Sequence, residues 1–194
     1  MKTLLPTTIF AATAIATATA VHAEQLARYD AALGGVPQDS LCWDYTASSG
    51  IPAPVNNGQA VTLGPSGSSA TANWRQDLVP FSFNDGASIS ARVKVISSGY
   101  YASNPYRRSG YYIGLTDKTG RFAQLGISGD RVLLSTADQN WSDQTYLFNT
   151  TGAFHDYELS FNGSVATVKI DGVVVLTDAV GTGGTVNRAY FGDL

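Results

Sequence analysis

The amino-acid sequence predicts an all-β protein, an antiparallel two-sheet β-sandwich preceded by a signal peptide. Apolar and polar residues alternate with period two over most of the chain, and helical periodicity is nearly absent after the N-terminal segment. Turn residues interrupt this alternation about every ten positions, as in sandwiches and barrels. Only 14% of the residues are charged, and Gly, Ser, Thr, Asn and Tyr take their place, which favours an extracellular β-protein.

The N-terminal segment has the three parts of a signal peptide. Lys2 supplies the positive start, residues 4–21 are apolar and mostly small, and Val21-His22-Ala23 fits the small-x-small cleavage pattern. We therefore predict cleavage after Ala23 and a secreted, cell-surface or periplasmic location. Residues 24–194 contain no second apolar stretch of that length, so the mature chain is expected to form one domain without a membrane span.

Charge and cysteine content narrow the possible partners. The formal net charge of −3 gives no electrostatic reason to expect nucleic acid or an anionic membrane as a partner. Cys42 is the only cysteine, so no internal disulfide can form in this exported chain. Its position between Leu41 and Trp43 predicts a small buried residue rather than a nucleophile.

Strand signals begin clearly in the middle of the chain. Residues 88–97 alternate, with Ile89 and Val93 on the apolar face and Arg92 on the polar one. Further strands are predicted at residues 110–116, 121–128 and 131–135. Gly129-Asp130 between the last two predicts a tight hairpin turn.

The C-terminal part predicts a three-stranded meander over residues 154–177. Asn162-Gly163 and Asp171-Gly172 are strong hairpin signals that separate its strands. Strands are also predicted at residues 145–148 and 188–192. The glycine-rich stretch at residues 181–184 is expected to be a loop within the domain.

The same region carries a family pattern. Its parts are Phe154-His155-x-Tyr157-x-Leu159, Asn162-Gly163, the run Val-Ala-Thr-Val-Lys-Ile-Asp-Gly at residues 165–172, and Tyr190-Phe191-Gly192-Asp193. This pattern resembles the concanavalin A-like lectin/glucanase superfamily, especially its laminin-G-like domains, and residues 92–95 and 112–115 match the earlier strands more loosely. The resemblance implies a jelly roll of two curved sheets with a concave groove.

The resemblance does not imply one activity, because the superfamily includes lectins, glycosidases, adhesion modules and peptidase-associated domains. In such domains a further strand follows the Phe-Gly-Asp strand, whereas this chain ends at Leu194. Two alternatives follow: the domain of residues 24–194 lacks its final strand, or strands from the N-terminal part close the sheet without it.

Acidic residues do not form the motif of a glucanase, which needs two neighbouring carboxylates facing the groove. Asp156 and Glu158 could share one face of a strand, but we interpret them as an exposed outer face. His155 is the only histidine after residue 23, and no Gly-x-Ser-x-Gly nucleophile elbow accompanies it. We therefore predict no catalytic residue and regard the hypothesis that the protein is an enzyme as the less favoured one.

A loop contains the one candidate metal site. Asp138, Asn140 and Asp143 offer oxygen ligands that could hold Ca²⁺, although their spacing is not that of an EF-hand and a polar surface loop is the alternative.

Ligand-binding candidates concentrate in an aromatic loop between two strands. The residues that we predict to contact a ligand from this loop are Tyr100, Tyr101, Tyr106 and Arg107. Tyrosine rings stack on the apolar faces of sugars, and arginine reads their polar edges. The alternative is that these tyrosines cap the sandwich and the arginines are solvated.

A groove floor is predicted from polar and aromatic residues of neighbouring strands. Arg92, Tyr112 and Gln124 all face away from the apolar side, and Trp141 lies on a nearby loop. The leading hypothesis is a secreted, non-catalytic module that binds carbohydrate. The alternatives are an extracellular adhesion or structural protein that binds protein partners, and a glycoside hydrolase with an atypical carboxylate pair.

Overall fold

The computed structural model describes residues 31–39, 43–62, 71–96, 110–136 and 144–193, which form strands and short 3-10 helices. The 3-10 helices are Ala31–Leu33, Pro37–Asp39 and Phe83–Asp85. The strands are, in chain order, β1 (Asp44–Ala47), β2 (Val55–Asn56), β3 (Val61–Thr62), β4 (Ala72–Asp77), β5 (Ala87–Val93), β6 (Tyr111–Thr116), β7 (Arg121–Ile127), β8 (Arg131–Ser135), β9 (Gln144–Leu147), β10 (His155–Asn162), β11 (Val165–Ile170), β12 (Val173–Ala179), β13 (Gly181–Thr182) and β14 (Arg188–Asp193). Within the described ranges, no helix is long and apolar enough to cross a membrane.

The strands form two main antiparallel sheets. The larger sheet has the order β1-β4-β14-β6-β7-β8-β9, with β13 paired beside β7, and the smaller sheet has the order β12-β11-β10-β5. Strands β2 and β3 form a separate two-stranded ribbon. This architecture confirms the predicted antiparallel two-sheet sandwich. Strand β14 lies between β4 and β6, so strands from the N-terminal part continue the sheet on its far side.

Hairpin turns define the best-predicted part of the fold. Strands β8 and β11 have the predicted bounds, and β10, β11 and β12 form the predicted meander. Asp171 and Gly172 have φ values of 49° and 81°, the left-handed conformation that a two-residue turn between twisted strands requires.

Residues 1–23 lie outside the described ranges, so the signal peptide stays a prediction.

Apolar side chains of both sheets meet in one core. The alternation in β5 is as predicted, with Ile89, Ala91 and Val93 packed against the core and Arg92 exposed. The largest fully buried side chains are Trp74, Tyr157, Phe83, Ile113, Leu125, Ile127, Leu134 and Leu159. Burial of this set from both sheets supplies the main favourable free energy of folding.

An aromatic cluster covers the inner face of β1, β4 and β14. The Phe191 ring packs on Trp74 and Trp43 with centroid separations of 5.1 Å and 4.8 Å. Tyr45 contacts Trp74 from the neighbouring strand β1. Trp74 Nε1 donates a hydrogen bond to Gln38 Oε1 at 2.5 Å, which fastens the second 3-10 helix to the sheet. Trp43 and Trp74 are thus core residues.

A fully buried carboxylate stands at the start of the β6–β7 turn. Asp117 Oδ1 accepts hydrogen bonds from the Thr119 backbone N–H at 2.8 Å and the Thr119 hydroxyl at 2.7 Å. Its Oδ2 accepts from Arg121 Nη2 at 2.6 Å and Nε at 3.0 Å. Burial alone would raise the pKa of Asp117, but these hydrogen bonds more than offset it and lower the pKa to about 2.

Arg121 joins the two sheets at this end of the sandwich. It lies at the start of β7 in the larger sheet, and its Nη1 donates to the Gly163 carbonyl in the β10–β11 turn at 3.2 Å. The same atom donates to Asn84 Oδ1 at 3.1 Å. Its guanidinium carbon lies 5.6 Å from the centre of the Phe83 ring, which stacks on Phe161 at 3.9 Å. The Asp117–Arg121 pair is therefore a cross-sheet connection.

Replacing Asp117 with Asn should destabilise the fold by about 3 kcal/mol, because Arg121 keeps its charge in a largely buried site and loses its counter-charge. Urea unfolding of the purified variant measures this free energy. Asp130→Asn is the matched control, since the Asp130–Arg131 ion pair is exposed and should be worth about 1 kcal/mol or less. Equal losses in the two variants would contradict the connecting role of Asp117.

The lowered pKa of Asp117 predicts that the free energy of unfolding depends on pH. The folded-state pKa of Asp117 is lowered to about 2 from 3.8, so its stabilisation is complete above the unfolded value. It is lost as the pH falls toward 2 and amounts to roughly 2 kcal/mol. Urea midpoints of the wild type and Asp117→Asn should therefore converge as the pH is lowered from about 5. A constant difference between the two midpoints would show that the pair does not titrate in this window.

Candidate functional site

The outer face of the larger sheet, directed away from the smaller sheet, carries two ordered rows of residues. Inward and outward positions alternate in β4, where Trp74 is buried and Arg75 exposed. The first row, here called the Tyr190 row, crosses six adjacent strands and consists of Asp44, Arg75, Tyr190, Gly114, Gln124 and Ser135. The second, the Tyr112 row, consists of Thr46, Asn73, Gly192, Tyr112, Gly126 and Leu133.

Glycines on this face leave space for two tyrosine rings. The phenol ring of Tyr190 lies over Gly114, where a Cβ atom would come within 2.4 Å of the ring atoms Cε2 and Cζ. In the next row Tyr112 stands between Gly192 and Gly126. The two rings lie 5.7 Å apart with their planes inclined by 44°. The missing side chains thus make room for an aromatic pair in the middle of the sheet.

Of the residues predicted to form the groove floor, the structure brings two together. Tyr112 and Gln124 both lie on this outer face, in neighbouring rows of β6 and β7. Tyr112 is only 5% exposed and is held against Tyr190, whereas Tyr190 and Gln124 are half-buried. The accessible part of the aromatic pair is therefore Tyr190.

The expectation that Arg92 shares this floor is wrong. Arg92 lies on β5, which pairs with β10 in the smaller sheet, and its side chain points to the opposite side of the sandwich. Its Nη1 lies 3.8 Å from Asp156 Oδ2. The error arises because the chain passes from one sheet to the other between Val93 and Tyr111, so strands consecutive in sequence are not neighbours in a sheet.

The remaining predicted site residues lie outside the described ranges, and their roles stay predictions. They are the ligand candidates Tyr100, Tyr101, Tyr106, Arg107 and Trp141 and the calcium candidates Asp138, Asn140 and Asp143. Among the residues that the structure describes, no group of three or more His, Cys, Asp or Glu side chains could hold a metal ion.

The acidic pair considered for glycoside hydrolysis lies on the outer face of the smaller sheet. Glu158 Oε1 accepts a hydrogen bond from Lys169 Nζ at 2.9 Å, and Asp156 faces Arg92. Both carboxylates are therefore paired with cations of neighbouring strands. They are on the opposite side of the sandwich from the Tyr190 row, on the outer strand face that the sequence predicts.

His155 forms a polar contact at the start of β10, an inner strand of the smaller sheet. Its Nδ1 lies 2.7 Å from Asp171 Oδ2, and Asp171 Oδ1 accepts the Asp156 backbone N–H at 2.9 Å. These two hydrogen bonds hold the pKa of Asp171 below its usual range. The described contacts of His155 are this carboxylate and the rings of Phe148 and Tyr157, with no aliphatic hydroxyl or thiol for it to activate.

Sequence reasoning missed the strand that supplies the polar edge of the outer face. Alternation over residues 72–77 places Ala72, Trp74 and Gln76 inward and leaves Asn73 and Arg75 outward. That period-two pattern was the signal that could have identified β4. Tyr190 lies in the family motif, but its neighbours Arg75 and Gly114 become visible only through the pairing of β14 with β4 and β6.

Comparison with solved structures identifies similar folds. A sialidase superposes on 87% of this chain with a TM-score of 0.61 and 11% sequence identity. A Crh5 transglycosylase without ligand superposes on 79% with a TM-score of 0.54, and the same enzyme in complex with NAG on 77% with a TM-score of 0.52, both at 15% identity. No protein-family model matches the chain, and no curated protein sequence matches it significantly.

These similarities concern the fold, which this chain shares with β-sheet regions of both enzymes. The chain spans 15% of the sialidase chain and 63% and 62% of the two transglycosylase chains.

Replacing Gly114 with Ala should displace the Tyr190 ring and destabilise the protein by about 1 kcal/mol, because the added Cβ occupies the position of the ring. Urea unfolding and near-ultraviolet circular dichroism measure the two effects. The control is a double-mutant cycle: in a Tyr190→Ala background the same substitution should cost nearly nothing. An equal cost in both backgrounds would mean that the ring does not rest on Gly114.

Proposed function

We propose that the protein binds carbohydrate at the outer face of the larger sheet and does not cleave it. The observation that carries this proposal is the Tyr190 row, in which an aromatic ring lies between Arg75 on one side and Gln124 on the other. We further propose that the protein acts outside the cytoplasm, which rests on the signal-peptide pattern of residues 1–23.

The chemistry of this face suits a sugar. The tyrosine ring offers an apolar surface on which the C–H face of a pyranose can pack. Hydroxyl groups at the sugar's edges need hydrogen-bond donors and acceptors beside the ring. The side chains of Gln124, Asn73 and Arg75 supply them. An apolar platform with a few placed polar groups is the usual composition of a small-molecule site.

The fold comparison supports the same class of ligand. The two similar solved proteins are named a sialidase and a transglycosylase, and one transglycosylase structure contains NAG. This support is an analogy of fold, and the site carries the proposal.

The carboxylates of the face support binding rather than cleavage. Within the described ranges, this face of β1 and β4 carries Asp44 and Asp77, which are 79% and 74% exposed and lie beside Arg75 and Arg188. A glycosidase needs one carboxyl group that an apolar environment keeps protonated. Exposed carboxylates beside arginines lack that environment.

Binding of immobilised and soluble glycans to the purified protein tests the proposal. Tyr190→Ala should weaken binding of the recognised glycan by about tenfold or more, because the stacking surface is lost. Tyr146→Ala is the matched control: this tyrosine is 40% exposed on the edge strand β9 and does not belong to the outer rows. Its removal should leave the affinity unchanged.

Two results would contradict the proposal. Absence of binding across a broad glycan array, with a protein partner recovered instead, would favour the adhesion alternative. Equal affinity of Tyr190→Ala and the wild type, with both folded by circular dichroism, would place the site elsewhere on the molecule.

A further inference from the structure

Arg75 differs from the other arginines on the outer face of the larger sheet in how its donors are used. Arg188 Nε donates to Asp77 at 2.9 Å, and Arg131 donates two hydrogen bonds of 2.8 Å to Asp130. The Arg75 side chain, by contrast, makes no hydrogen bond to the described part of the chain. Its nearest counter-charge is Asp44 Oδ2, 4.0 Å from its Nε.

The Arg75 guanidinium is accessible to solvent and lies beside the Tyr190 ring. The Arg75 side chain is 49% exposed, and Arg75 stands directly opposite Tyr190 in the antiparallel pair of β4 and β14. Opposite residues of such a pair have Cβ atoms about 4.5–5.5 Å apart, so both side chains can reach the same ligand. A sugar ring resting on Tyr190 would extend a substituent toward Arg75.

Guanidinium chemistry determines which substituent fits. Its planar fork of N–H donors matches the two oxygens of a carboxylate, and such bidentate pairs are stronger than hydrogen bonds to neutral groups. The contact with Asp44 is a weak competitor, because Asp44 is largely exposed and exposed ion pairs contribute little free energy. A carboxylate on the ligand can therefore displace it.

We infer that the carbohydrate bound at this face is acidic, with a sugar carboxylate held by Arg75 while its ring packs on Tyr190. This inference rests on the proposed carbohydrate binding and specifies its ligand class. No covalent step is involved. Gln124, on the other side of Tyr190 in the same row, would contact the neutral edge of the sugar.

The test compares sugars that differ only in the carboxylate charge. Hexuronate oligosaccharides and sialylated lactose, each beside its methyl ester, are titrated into the purified wild type. The acidic form should bind about 10- to 100-fold more tightly than its ester, the factor expected for a charge-assisted bidentate contact. Arg75→Gln should remove this preference, so that the acid and its ester bind the variant with equal affinity.

A charge-matched control separates the local contact from the overall charge. Lys169→Gln removes the same charge from the outer face of the smaller sheet, where Lys169 pairs with Glu158. It should keep the preference for the acidic form. An equal loss in the two variants, or equal binding of acids and esters by the wild type, would overturn the inference.

The outcomes also distinguish this inference from the proposed function. If acids and esters bind equally and Tyr190→Ala abolishes both, carbohydrate binding stands and the acidic specificity is wrong. If neither form of any sugar binds the folded wild type, both proposals fail. Because Arg75 is half exposed, Arg75→Gln should fold normally, and its thermal midpoint verifies this.

Discussion

The buried pair of Asp117 and Arg121 determines the geometry on which the outer face depends. Asp117 directly follows β6 at the start of the turn, and Arg121 is the first residue of β7. The hydrogen bonds between them therefore fix where this hairpin reverses. That reversal sets the register in which Gly114 stands opposite Gln124. A slip of one residue would exchange the inner and outer sets of the strand, so the Tyr190 row would no longer exist. The same arginine bonds to the Gly163 carbonyl, which ties this register to the smaller sheet.

Glycine is the second constraint, because the outer face needs positions without side chains. Gly192 has a φ of 149°, and a Cβ there would lie 2.3 Å from the Ala72 carbonyl oxygen of the adjacent strand. Gly114 leaves the space that the Tyr190 ring fills. Glycine in a strand normally weakens it, through backbone entropy and lost packing. Here the two tyrosine rings cover the glycines and restore part of that packing, so the aromatic pair has a structural role besides the ligand contact that we propose for Tyr190.

The sequence predicted every strand of the β6–β8 and β10–β12 hairpins, whereas β1 and β4 are among the strands that it missed. Asn162-Gly163 and Asp171-Gly172 have a conformational preference strong enough to fix the meander locally. Strands β1 and β4 are separated by Pro-, Gly- and Ser-rich segments, and β4 pairs with β14 from the far end of the chain. Such pairing depends on contacts between residues distant in sequence, which periodicity does not report. For the same reason the predicted position of Arg92 is wrong, while Tyr112 and Gln124, one hairpin apart, share one face as the sequence predicts.

The distribution of charge over the two outer faces bears on how an acidic glycan would be recognised. On the smaller sheet Glu158 and Asp156 are each opposed by a cation, so that face is locally balanced. The whole chain is acidic, with a net charge of −3, so long-range steering does not favour an anionic ligand. Recognition by Arg75 would then depend on contacts made at short range, where the fork geometry and the adjacent Tyr190 ring act together. A lysine at position 75 would keep the charge but lose the fork, and so would retain attraction without the orientation that distinguishes one acidic sugar from another.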